Sequence, residues 1–218
     1  MRTSRFKYER ECLERGLSRI AGADEAGRGP LAGPVVASVV CLPCEWIEKG
    51  LPRKLQGLND SKQLSEPERE RFFDFLTSHP SVSFGVAMID SDVIDTINIL
   101  QASLRAMAEA LLRLSPIPEH ALVDGPHIFS VKCPQTAIID GDAKSFSIAA
   151  ASVIAKVTRD RLMKELDKDY PQYGFKDHKG YSTPQHLAAI SQHGACRIHR
   201  RTFSPFRKPE PPVPELFA

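Results

Sequence analysis

No apolar run in this chain approaches the roughly 18–20 residues needed to cross a membrane. Met1 to Ser18 mixes Arg, Lys and Glu without the hydrophobic stretch of a signal peptide, so a cytoplasmic location follows by default. Charge of one sign is also missing: 29 Lys and Arg stand against 27 Asp and Glu, a net charge of +2. That excludes a strongly basic nucleic-acid coat but not a local patch. The five cysteines, Cys12, Cys41, Cys44, Cys133 and Cys196, are an odd and scattered set in 218 residues, which argues for reduced thiols. Cys41-Leu42-Pro43-Cys44 has C-x-x-C spacing, and Cys196 with His199 could complete a zinc site. The pair closes a strand pattern without a thioredoxin-like context, however, and packed thiols are the simpler reading. There is no internal repeat, no Ser-His-Asp order, no P-loop and no H-E-x-x-H to announce a familiar chemistry. No heptad or exposed apolar stripe is evident, so a monomer is expected.

What is present is an ordinary globular composition, 42% hydrophobic and 26% charged, in a length that fits one large domain or a domain with a small appendage. Arg5 to Arg15 reads as a short charged helix. Residues 19–24 and 34–42 are strand candidates, and Val82 to Ile89 alternates as a third. Ser65-Glu66-Pro67-Glu68 is a capping box opening a helix to about Ser78. Ser91 to Leu114 is helical with a break near Asn98, its buried stripe read as Leu100, Leu104, Met107, Ala108 and Leu111. Two short strands follow, Ala121 to Asp124 and Thr136 to Ile139. A long helix from about Ser145 to Asp169 carries apolar positions Ile148, Ala151, Ala155, Leu162 and Leu166. A last helix starts near Thr183-Pro184. Strands alternating with helices predict an α/β fold with a mixed sheet. The divisions expected are a helical lead-in (1–18), a catalytic core (19–170), a C-terminal helical substrate-contacting segment (171–208) and a Pro-rich tail (209–218).

Chemistry concentrates at strand ends. Asp24-Glu25, Asp124 and Asp142 each close an apolar segment, the place where functional groups gather in α/β folds. Oxygen-only ligands favour hard cations such as magnesium or manganese, and two such ions can drive phosphodiester cleavage. Successive strand residues face opposite ways, so Asp24 and Glu25 can serve one metal cluster only where the strand ends or kinks; otherwise Glu25 offers its carbonyl or lies behind the site. A basic run, Arg197, Arg200, Arg201, Arg207 and Lys208, with Phe203 and Phe206 interleaved, supplies a local patch that could track a duplex backbone. His178 and His199 near it read as phosphate contacts or surface groups.

Asp24-Glu25-Ala26-Gly27-Arg28-Gly29-Pro30-Leu31-Ala32-Gly33-Pro34 resembles the opening motif of the type 2 ribonuclease H family. Asp60-Ser61-Lys62 resembles that family's D-S-K loop and Asn98-Ile99-Leu100-Gln101-Ala102 its N-I-L-Q-A helix. Asp124-Gly125, Gly141-Asp142-Ala143-Lys144 with the helix through Asp160, and His178-Lys179-Gly180-Tyr181-Ser182-Thr183 follow in order. The resemblance, over roughly Arg19 to Phe206, implies a ribonuclease H-like mixed β-sheet flanked by helices, with a small C-terminal helical segment. It implies an endonuclease that cuts the RNA strand of RNA·DNA hybrids and incises 5′ of single ribonucleotides in duplex DNA, with roles in ribonucleotide excision and RNA primer removal. It further implies Asp24, Glu25, Asp124 and Asp142 as the metal site for two Mg2+ or Mn2+ ions. Gly27, Arg28 and Gly29 would meet the 2′-hydroxyl and neighbouring phosphate, and Tyr181 would stack on the next sugar. Ser61, Lys62, Lys144 and His178 would be further substrate contacts, with the dipole at the start of the Ser145 helix adding to phosphate affinity. In the tail, Glu215-Leu216-Phe217 resembles the Leu-Phe end of sliding-clamp-binding peptides without their upstream Gln, which makes a sliding clamp a candidate partner.

Overall fold

The computed structural model describes residues 5–206. Five strands form one sheet: β1 (Ile20–Ala26), β2 (Val35–Cys41), β3 (Ser83–Ile89), β4 (His120–Asp124) and β5 (Gln135–Ile138), in the order β3-β2-β1-β4-β5. The first three pair antiparallel; β1 with β4 and β4 with β5 pair parallel, so the sheet is mixed. The helices are α1 (Lys7–Glu14), α2 (Cys44–Lys49), α3 (Glu66–Ser78), α4 (Ser91–Ile97), α5 (Ile99–Leu112), α6 (Gly141–Lys144), α7 (Phe146–Asp169), α8 (Phe175–His178) and α9 (Pro184–His193). Among the described residues, no helix is long and apolar enough to cross a membrane. Arg207, Lys208, the Pro-rich tail and Glu215-Leu216-Phe217 lie outside the described residues.

Alternation along the strands sends side chains to two cores. Ile20, Val40, Leu122 and Ile138 pack with α3 and α7 on one face. Ala21, Ala23, Val35, Ala37, Val39 and Ala87 pack with α5 on the other. On the α7 side the approach is backbone to backbone: a Cβ on Gly22 would stand 2.1 Å from the Ser147 carbonyl carbon. The first half of α7 is consequently buried on all sides, from Ser147 through Ala155, rather than along one stripe. On the α5 side Gly85 plays the same part, since a Cβ there would meet the Ala110 oxygen at 2.0 Å. This closeness selects small residues, so the buried face of α5 is Ala102, Ser103, Ala106, Met107, Ala110 and Leu111, keeping Met107 and Leu111 of the stripe read from the sequence and shifting the rest. Leu100 and Leu104 are only half-buried.

Local signals act as their chemistry dictates. The Ser65–Glu68 capping box is closed in both directions. Asn98, at φ 66°, separates α4 from α5, and its side chain accepts the Gln101 N–H. Thr183 caps α9 by accepting the His186 N–H, with Pro184 at the first position. The segment after α7 folds back over it: Tyr173, Phe175 and Ile190 pack with Met163, Leu31 and Ala32 in a third apolar cluster. That return carries the C-terminal segment onto the turn following β1.

Candidate active site

Asp24 lies on β1 and Asp124 at the end of β4, on adjacent parallel strands paired at Ala23 and Val123. Asp142 comes from α6, directly after β5. One carboxylate oxygen from each lies within 4.8 Å of the others. Backbone holds two of the three in place: the Glu25 N–H donates to Asp24 Oδ1 at 2.7 Å, and the Gly141 N–H to Asp124 Oδ1 at 2.7 Å. Burial, then the charges of Glu25 and Asp124, raises Asp24 well above the ordinary carboxylate range. Burial, then Asp124 and Asp60, pushes Asp142 up to about 6. Three carboxylates this close resist ionising together, and a divalent cation removes that conflict. Oxygen-only donors of this kind fit magnesium or manganese.

Glu25 stands apart from the three. β1 does not end at Asp24 but continues paired with β2 through Ala26, so the strand alternation holds and the two acids diverge. The Glu25 carboxylate meets the Arg28 guanidinium at 3.3 Å. Burial raises its pKa, with Arg28 opposing. Glu25 also lines an open crevice of about 420 Å³ beside the acids, shared with Gly27, Arg28, Gly29, Ser61, Lys62 and Tyr181. Lys62 Nζ lies 3.9 Å from Asp142 Oδ2.

The Gly27–Gly29 turn is held from behind by two buried arginines. Arg200 donates to the carbonyls of Gly27 (2.6 Å), Arg28 (2.9 Å) and Gly33 (3.0 Å). Arg159, on α7, donates to Pro34 (3.0 Å), Ala32 (3.1 Å) and Lys179 (3.0 Å). Gly27 has φ 100°, and a Cβ there would stand 2.1 Å from Arg159 Nε, so this glycine answers to the arginine. Gly29 instead lies against Tyr181: a methyl group there would be 3.7 Å from Cε1 of the ring. Tyr181 is 43% exposed, with Lys156 Nζ 6.0 Å from its ring centroid.

Several residues that the sequence reading placed at the surface are buried. Arg200 is fully buried and belongs to no surface patch; its charge is spent on backbone carbonyls. His199 is buried too, as is His178, whose ring nitrogens meet the Tyr173 carbonyl (2.8 Å) and the Gly180 N–H (3.1 Å). His178 thus supports the Tyr181 backbone through Gly180. Lys144, half-exposed, donates its Nζ to the Ile139 carbonyl at 2.6 Å. The N-terminus of α7 does not face phosphate either. Glu9 of α1 occupies it, accepting from Ser145 Oγ (2.6 Å) and the Ser147 N–H (3.0 Å). Cys41 and Cys44 do not join Cys196 and His199: among the described residues only the acidic trio is grouped closely enough to hold a metal ion.

Ser152, Lys156 and Asp60 fall in the motifs quoted from the sequence but carry no assigned role there. Ser152 bonds Ser61 Oγ at 2.8 Å and reaches Asp24; Lys156 lines the crevice one helical turn on. Their spacing of four on α7 was the available signal. Asp60 accepts the Lys62 N–H at 2.9 Å, and its charge and a hydrogen bond act on Asp142.

The model of the family described as ribonuclease HII matches residues 21–205. Ribonuclease HII of Bacillus mycoides (strain KBAB4) is 53% identical over 201 residues, spanning 92% of this chain and 75% of the relative. The crystal structure of ribonuclease H2 from Pyrococcus horikoshii OT3 superposes with a TM-score of 0.70 at 31% identity, covering 87% of this chain and 95% of that one. The ribonuclease HII solved in complex with PCNA from Archaeoglobus fulgidus gives 0.68 at 28% identity, covering 84% and 93%.

Proposed function

The chain belongs to the ribonuclease HII family and is a type 2 ribonuclease H, and from that premise we propose that it is a metal-dependent endonuclease that both cuts the RNA strand of RNA·DNA hybrids and incises 5′ of a single ribonucleotide in duplex DNA. The observation that carries this reading is the meeting of Asp24, Asp124 and Asp142 beside a crevice walled by Gly27–Gly29 and Tyr181. Those three acids, with Glu25 at their edge, would hold Mg2+ or Mn2+, and two bound ions would supply an activated water and a stabilised leaving oxygen, giving 3′-hydroxyl and 5′-phosphate ends.

The chain's own residues account for selectivity. A 2′-hydroxyl is all that separates RNA from DNA at one nucleotide. The Gly27–Gly29 turn can meet it through backbone, because its carbonyls are drawn back by Arg200 and Gly29 carries no side chain. Arg28, half-exposed and touching Glu25 through one nitrogen, keeps other donors for a phosphate. Lys62, Lys156 and the hydroxyl of Ser61 line the same crevice and suit the flanking backbone. Tyr181 presents a ring for the following sugar, where a deoxyribose packs and a 2′-hydroxyl crowds. For the partner, Glu215-Leu216-Phe217 would engage a sliding clamp. Deleting residues 209–218 should then abolish co-elution with the clamp, and unchanged co-elution removes the idea.

The deciding experiment incubates purified protein and magnesium or manganese with a DNA duplex holding one ribonucleotide, alongside a uniform hybrid. Cleavage 5′ of the ribonucleotide is the expected result. Cleavage of the hybrid alone would rule out junction recognition by Tyr181 and the Gly-Arg-Gly turn.

A further inference from the structure

Beneath Tyr181 the rings of His178 and His186 are stacked, with centroids 4.4 Å apart and planes 18° from parallel. Each ring holds part of the Gly180–Tyr181 backbone. His178 Nδ1 accepts the Gly180 N–H, and His186 Nδ1 lies 2.9 Å from the Tyr181 carbonyl. A carbonyl can only accept, so the network assigns the hydrogen to His186 Nδ1. Neutral His186 then accepts at Nε2, which lies 3.1 Å from His199 Nε2. His199 must therefore donate from Nε2, leaving its Nδ1 to accept the Cys196 N–H at 2.9 Å, with the Cys196 thiol alongside at 3.0 Å. The chain of donors runs one way, from Cys196 through His199 and His186 to the Tyr181 carbonyl. An extra proton on either ring would set two N–H groups face to face.

The residue after His199 is Arg200, which grips the Gly27–Gly29 turn. The Leu31 N–H completes the loop by donating to the Gly180 carbonyl at 2.8 Å. One imidazole-to-imidazole hydrogen bond thus ties the strand of chain carrying Tyr181 to the one fixing the turn. We propose that His186 and His199 are positioning residues that hold Tyr181 in register with the Gly27–Gly29 turn, so that preference for a single ribonucleotide over a uniform hybrid depends on the bond between them. This rests on the assignment of Tyr181 as the sugar-stacking residue. The titratable and charged groups facing the pair are His178, Tyr173, Cys196 and Arg201. Burial, then His186, holds His199 down to about 4, which keeps the bond intact at neutral pH.

The test compares wild type, His199→Phe and His199→Gln, whose amide nitrogen can still donate to His186. With His199→Phe, kcat/KM on the single-ribonucleotide duplex should fall about tenfold, with less than about a twofold change on the hybrid, as misplacement of a positioned group predicts. His199→Gln should restore most of the preference. Equal losses on both substrates with Tyr181 undisturbed, or a Gln variant no better than Phe, overturn the proposal. Where His199→Phe fails to fold, His186→Asn carries the same comparison, since it keeps a donor for Tyr181 and loses the link to His199. Fluorotyrosine at position 181 separates the two ideas. Its fluorine resonance should move in His199→Phe and return in His199→Gln. An unmoved resonance overturns the positioning role, whereas a moved resonance with an unchanged substrate ratio upholds it and overturns the Tyr181 assignment.

Discussion

The acidic end of the site and the turn beside it hold buried charge in opposite ways. At the acids, like charges are pressed together, and Asp24 and Asp142 are pushed toward their neutral forms. At the turn, Arg159 and Arg200 are buried with no carboxylate of the described residues paired to either guanidinium, and backbone carbonyls take up their hydrogens. The first arrangement is incomplete until a cation joins it. The second is finished before any substrate arrives. On the proposed function, the chemistry is conditional on a bound ion, while the recognition surface is built into the fold.

The two regions also answer pH with opposite signs. Asp142 folds with a pKa near 6 against an ordinary 3.8, so its contribution to stability is present below 3.8 and lost as pH rises through about 6. His199 folds with a pKa near 4 against 6.5, so its contribution is present above 6.5 and lost as pH falls through about 4.

The largest effect should come from removing a charge at the acids. Asp124→Asn is expected to slow hybrid cleavage by about three orders of magnitude, several kcal/mol of lost transition-state stabilisation, with hybrid binding retained; near-wild-type single-turnover rates would refute the comparison. At the turn the damage should be to the fold. Arg200→Met strands several buried carbonyls and should cost about 3 kcal/mol in urea unfolding, and a change under about 0.5 kcal/mol would show that the arginine is not needed there. A smaller effect sharpens the conditional half: manganese should raise the melting temperature by ~3 °C more at about pH 7.5 than at about pH 5, because only ionised carboxylates bind it. Asp142→Asn should flatten that dependence. The least is expected of Glu9→Gln, which keeps an acceptor at the start of α7 but loses its charge, at about 1 kcal/mol by thermal unfolding.

The conditional half was the more legible in the sequence. Acids closing apolar runs announce themselves by position, and Asp24, Asp124 and Asp142 converge because parallel strands bring their ends together. Glu25 was legible as a question, and the continued pairing of β1 through Ala26 turns its carboxylate toward Arg28. The finished half was hidden. Arg200 read as a surface group because burying it requires partners far along the chain: it meets Gly27 across 173 residues. His178 and His199 bond to near neighbours, Tyr173 and Gly180 for one and Cys196 and His186 for the other, but a polar segment rich in charge gives no sign that their rings turn inward. The two glycines of the turn look equivalent in sequence, yet Gly27 is constrained by Arg159 and by its positive φ, whereas at Gly29 a Cβ would only touch Tyr181 in ordinary contact. The stripe of α5 was misread for a related reason: hydrophobic periodicity favours leucines, whereas close packing over Gly85 favours alanines.

Glu9 gives the lead-in helix a standing that its charged sequence conceals. It plugs the start of the helix that supports Asp24 through Ser152, and Arg5 nearby donates to the Leu58 carbonyl at 2.7 Å and to the Asp142 carbonyl. Trimming the protein back to Arg15, or clipping it there with a protease, would unstop a buried socket next to the acidic trio. The stretch from Arg5 to Glu14 should be regarded as a wedge driven into the molecule, and any tag or fusion joined ahead of it has to leave that wedge seated.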